Sequence, residues 1–295
     1  MKMEINAKQF SFGRNETFFL RYGWIAKGFE AYKNNSKAFN EIDAPLKLGV
    51  GKNMVSSMRF WLTAYGLIEE NGEISKFGHY LFDRETGIDP FSEDDITLWL
   101  LHWKLCSNPH QGTLYYWFFN EFKKTNFTLS QFEKALDEWL ENYEKKVSEN
   151  TLKRDRALLL RTYLSKNTEG QHPEDFLDNS FNVLNLINLS RDERTYNCPT
   201  KLRDGISPEL IGFCLAELQE KENLTRIPVN DLIEKKNALS FTGIFKIDKD
   251  AFIVLLEELS INYPEFINFE DGIDGKTIVF ANSKNPFSFL KSNEA

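Results

Sequence analysis

The strongest constraint on the fold lies in residues 53–82, where an amphipathic helical pattern runs into a glycine and is followed at once by a hairpin and a short helix. Met54, Val55, Met58, Trp61, Leu62 and Tyr65 recur at i, i+3, i+4 and i+7 and share an apolar face, while Lys52, Ser56, Arg59 and Thr63 look outward. The pattern stops at Gly66. GLIEENGEISKFGHYLFD then reads as a strand over 67–69, a turn at Asn71 and Gly72, a second strand and a short helix.

Upstream, residues 14–33 predict a helix with Phe18, Phe19, Tyr22, Ile25 and Phe29 on one broad face. Between the two helices, Pro45 biases Ala44 away from helix, and Gly49 and Gly51 loosen the backbone. Helix, glycine-containing turn, amphipathic helix and hairpin is the order of a winged helix-turn-helix, expected here over residues 1–85. Modules of this kind bind DNA, and some dock proteins instead.

Charge favours the first of these uses. The whole chain carries −8, yet residues 1–65 hold 10 of its 36 Lys and Arg and only 5 of its 44 Asp and Glu, a head of +5 on a body of −13. A basic head can touch phosphates while the acidic body meets protein. The run LGVGKNM places Lys47, Gly49, Gly51, Lys52 and Asn53 at the start of the amphipathic helix, where small residues admit a phosphate to free amides. It is not a nucleotide loop, because Leu46 stands where a Walker motif needs glycine and Asn53 where it needs Ser or Thr. Along the helix Ser56, Ser57 and Arg59 complete the expected DNA surface, and Arg14, Arg21 and Lys27 form a second basic group. Arg14 and Arg21, seven apart, would share a helix face; ion pairing of Arg14 with Glu16 is the competing reading.

The remainder predicts a mainly α, α+β chain. Residues 86–178 are expected to form a helical domain rich in aromatics, with Asp89 and Pro90 opening an all-round apolar helix and a Ser130/Glu133 capping box starting another. From Tyr143 to Lys166 the pattern is helical and basic, with Lys145, Lys146, Lys153, Arg154, Arg156, Arg161 and Lys166 against three acids. This is either a second phosphate-contacting surface or a solvated face. Residues 167–178 read as a linker. A C-terminal domain over 179–295 repeats the helix, turn, helix and hairpin order, its strands around the Asp-Gly turns of FINFEDGIDGKTIVFAN. Its acidity suits a protein contact.

Several chemistries find no support. Cys106, Cys198 and Cys214 are far apart and in no CxxC pair, which fits a reducing cytoplasm rather than a disulfide framework. His79, His102, His110 and His172 have no metal-ligand spacing, so no metal-binding residue is assigned. Glu93, Asp94 and Asp95 suit a helix start as well as a magnesium site. No apolar run is long enough for a membrane span or signal peptide.

The strings FGRNETFFLRYGWIAKG, DAPLKLGVGKNMVSSMRFWLTAYGLI and DPFSEDDITLWLLHWKL resemble a bacterial domain-of-unknown-function family that accompanies DNA phosphorothioation genes in anti-phage defence. The likeness is strongest over residues 10–120. It implies a component of backbone sulfur modification acting on double-stranded DNA, with a cysteine desulfurase, a phosphosulfate-reductase-like enzyme and an ATPase as companions. It also implies DNA nicking, for which a divalent metal such as magnesium would be the cofactor, and it assigns no catalytic residue. The alternative is a non-catalytic adaptor or transcription regulator.

Overall fold

The computed structural model describes residues 5–21, 23–165, 179–192, 194–234, 239–272 and 275–290. The expected linker at 167–178 and Lys166 lie outside them. The chain is mainly helical with two small antiparallel sheets. It divides into two compact units: Asn6–Phe118 with Lys124–Cys198, and Met1–Ile5 with Phe119–Lys123 and Pro199–Ala295.

The first part of the larger unit runs α1 (Trp24–Asn34), α2 (Ala44–Leu48), α3 (Lys52–Ala64), a hairpin and α4 (Lys76–Phe82). Gly49 turns α2 into α3 with a left-handed backbone at φ 63°, and Gly51 stands extended before α3. Val55, Met58, Trp61 and Leu62 bury the inner face of α3, as their spacing requires. The hairpin is minimal, with an antiparallel bridge between Ile68 and Ile74, an amide of Glu69 donating to the Glu73 carbonyl, and Gly72 in the turn at φ 86°. The Ser75 hydroxyl then caps α4 by accepting from the Gly78 amide.

One expectation fails at the start of the chain. Residues 14–21 are not helical: Glu16 and Thr17 have left-handed backbones, and Gly23 at φ 76° precedes the first turn of α1. Long-range bonds hold this stretch where local propensity does not. The Phe18 carbonyl accepts from Ser57 Oγ at 3.3 Å and Trp61 Nε1 at 2.9 Å, and Arg21 bridges the backbone of Asn179. Arg14 and Arg21 therefore share no helix face.

The rest of the larger unit holds α5 (Asp95–Ser107), α6 (Thr113–Asn120), β1 (Asn126–Thr128), α7 (Leu129–Glu141), α8 (Glu149–Tyr163), β2 (Asn188–Leu189) and β3 (Thr195–Asn197). α5 is buried nearly all round but begins six residues later than Asp89. Asp89 instead accepts the amides of Glu93 and Asp94 at 2.9 and 3.1 Å and ends the preceding turn. The capping box of α7 is formed by Thr128 and Gln131, ahead of the expected Ser130 and Glu133. Strand order is β1-β3-β2, both pairings antiparallel.

The smaller unit runs α9 (Pro208–Glu222), β4 (Arg226–Pro228), α10 (Val229–Glu234), α11 (Phe241–Phe245), α12 (Lys249–Asn262), and the hairpin β5 (Ile267–Gly272) and β6 (Gly275–Phe280). Its sheet order is β4-β6-β5. In both units a lone strand, β1 after α6 and β4 after α9, pairs with the second strand of a later hairpin.

Candidate nucleic-acid interface

The outer face of α3 is where sequence and structure agree best. Lys52, Asn53, Ser56 and Arg59 are all exposed. No side chain caps the α3 start, so its first-turn amides have no side-chain acceptor there, and the exposed Lys52 is the first residue of the helix. Arg59 Nη1 donates to Asn40 Oδ1 at 2.8 Å, which orients the guanidinium without neutralising it. Lys27 Nζ donates to the Leu48 carbonyl at 3.3 Å and so fastens α1 to the last turn of α2.

Other expected residues are placed differently. Ser57 is fully buried, its hydroxyl spent on the Phe18 carbonyl. It supports the face from below. Lys47 is exposed but neutralised, 2.6 Å from Glu41 and 3.2 Å from Asp43. Hydrogen bonding to Lys47 holds the Glu41 carboxyl below its usual range and raises the Lys47 ammonium. Arg21 lies 5.8 Å from the Trp24 ring centroid, a cation–π arrangement.

Arg14 reaches the site through a loop. It lines an open groove of about 820 Å³ whose walls include Ser56, Arg59 and Thr63 of α3, Lys8 of the N-terminal stretch, Asn40, and Glu69 and Glu70 of the hairpin. The loop is pinned by Asp155 of α8, which accepts the Gly13 amide at 2.7 Å and Asn15 Nδ2 at 3.5 Å. Burial raises the Asp155 pKa, against these two hydrogen bonds. Asn40 and Asp155 carry no signal in the sequence, since each acts through a residue distant along the chain. Thr63 is legible from the helical spacing of the outward face.

The acids that the sequence singles out lie around the start of α5. Asp94 stands at the N-cap position of α5 without a side-chain capping bond and Asp95 lies in its first turn, and among the described residues no three His, Cys, Asp or Glu side chains converge as a metal site. His102 is buried, its Nδ1 2.7 Å from the Tyr163 hydroxyl. No helix among the described residues is long and apolar enough to cross a membrane.

The fold has solved counterparts. The SspB crystal structure matches with a TM-score of 0.81 and 23% identity, over 95% of this chain and 86% of that one. The magnesium ion-bound SspB crystal structure matches with the same TM-score and coverage at 24% identity. No curated protein matches the sequence. Residues 12–292 match the family described as a protein of unknown function, DUF4007, and the chain belongs to that family.

Proposed function

We propose that this chain is a DNA-binding component of a DNA phosphorothioation defence system, and that residues 1–85 act as a winged helix-turn-helix with α3 as the recognition helix. The observation that carries the reading is the outer face of α3. It presents Lys52, Asn53, Ser56 and Arg59 between a glycine turn and a hairpin, with Arg14 and Arg59 lining one groove. The SspB fold and the family strings supply the system. Among the described residues no three His, Cys, Asp or Glu side chains converge, so binding is proposed from this chain's own groups and nicking rests on the resemblance.

A titration of a 20-base-pair duplex over a salt series tests the binding. Lys52→Ala with Arg59→Ala should weaken binding and lower the log–log salt slope by about 0.9 per lost phosphate contact. A double variant that follows the parent at every salt concentration places the surface elsewhere. Supercoiled plasmid incubated with magnesium separates the two readings, staying supercoiled with an adaptor and relaxing with a nickase.

A further inference from the structure

We infer that α8 is a second phosphate-contacting strip, laid against the same duplex as α3; the inference rests on the DNA-binding reading above and extends its footprint. Three observations carry it.

The first is the division of charge on α8. Its exposed positions past the first residue are Asn150, Lys153, Arg154, Ala157 and Arg161, which form one stripe at helical spacing. The remaining charged residues of the helix are buried and used internally: Asp155 holds the Gly13 amide and Arg156 pairs with Glu133. After Glu149 the outward face is thus cationic without an acid. Among the described residues neither Lys153 nor Arg154 has a salt-bridge partner.

The second is topology. Among the described residues, β1 with the β2–β3 hairpin and β4 with the β5–β6 hairpin share one strand order, with α7 and α8 inside the first set and α10 to α12 inside the second. α12 leads directly into its hairpin, as α3 does into its own, whereas α8 is separated from β2 by residues 166–178, which lie outside the described residues, and by a short 3-10 helix over Phe181–Leu184. The last described α-helix before each hairpin differs in what it shows to solvent. Past its first residue, Lys249, α12 exposes Asp250, Val254, Glu258, Ile261 and Asn262, with two acids and no cation, whereas α8 past Glu149 exposes three cations and no acid.

The third is physical linkage. Residues 13–21 run between α3 and α8. They bond to α3 through the Phe18 carbonyl and to α8 through Gly13 and Asp155. Further along, the Arg161 guanidinium lies 5.2 Å from the Phe19 ring centroid, and Asn179, bridged to Arg21, donates to the Arg161 carbonyl at 2.8 Å. Arg14 and Arg21 therefore sit in the segment that joins one cationic helix to the other, and a polyanion crossing it meets both.

The test uses the full chain, a labelled 20-base-pair duplex and a salt series. Lys153→Ala with Arg154→Ala should lower the salt slope by about 1.8 and weaken binding by tens of fold near 0.1 M salt. Adding Lys52→Ala and Arg59→Ala should roughly double the slope loss. The charge reversal Lys153→Glu with Arg154→Glu should weaken binding further than the alanine pair, and circular dichroism melts report folding of each variant. If the parent binds and the α3 pair weakens it while both α8 pairs match the parent, the second strip is refuted and the first reading stands. Parent protein that does not bind the duplex refutes both. An α8 pair that matches the parent on DNA but abolishes binding to an acidic protein refutes the duplex as occupant.

Discussion

Asp83 shows how a single side chain fixes the module that carries α3. It follows α4 directly and gathers Lys33 of α1 at 2.7 Å, the amides of Glu85 and Thr86 at 3.0 and 3.2 Å, and His79 Nδ1 at 3.5 Å. The Lys33 hydrogen bond, backed by the two amides, holds the carboxyl well below the usual carboxylate range. A depressed folded pKa means the ionised group adds stability that is full above its unfolded pKa, about 4, and is lost as pH falls through the folded value. Asp83→Asn should therefore lower the thermal midpoint by a constant margin from pH 8 to about 5, and the gap to the parent should narrow below about pH 4. Melts at pH 7, 5 and 3 check this, and a gap that widens at pH 3 would contradict the assigned role.

At the scale of elements, the loop of residues 13–15 depends on α8. Removing the Asp155 carboxylate leaves the Gly13 amide without its partner, so Asp155→Ala should cost about 1–3 kcal/mol. Asp155→Asn keeps an acceptor and should lie close to the parent. Because burial raises the Asp155 pKa, the ionised form costs stability at neutral pH, and the parent should gain on Asp155→Asn as pH falls through the raised value. Urea melts of the two variants at pH 7 and 4 separate the lost contact from the charge. The α2–α3 turn tests a different force: Gly49 sits at φ 63° with nothing within 4 Å of an added Cβ, so Gly49→Ala should cost about 1–2 kcal/mol through backbone strain alone.

These elements also mark how far the sequence could be read. α3, its glycine turn and the hairpin were legible because local periodicity and turn chemistry specify them. The helix expected over 14–33 was not, since bonds from Ser57, Trp61 and Asn179 override the propensity of residues 14–21. Within the site, the outward spacing of Lys52, Ser56 and Arg59 was readable. The burial of Ser57 and the neutralisation of Lys47 were not, because each is decided by a partner that periodicity cannot locate.

At the scale of the whole molecule, the groups assigned to DNA all lie in the unit of Asn6–Phe118 with Lys124–Cys198, so damage to the other unit should be separable from binding. Gly212 in α9 offers a clean way to inflict it. Helix propensity alone would favour alanine there by about 1 kcal/mol. An added Cβ, however, would meet the Phe289 ring carbons at 2.6 and 2.7 Å and Leu259 Cδ1 at 2.9 Å. Phe289 has little room to yield, being 2% exposed and set against Tyr263 and Phe266 at ring-centroid distances of 4.9 and 5.0 Å. Overpacking should therefore win over propensity, and Gly212→Ala should destabilise by about 1–3 kcal/mol. Its thermal midpoint should fall while, below that midpoint, duplex affinity and salt slope stay those of the parent. A Gly212→Ala protein that is fully folded at the assay temperature yet has lost salt slope would mean that the DNA surface extends into residues 199–295.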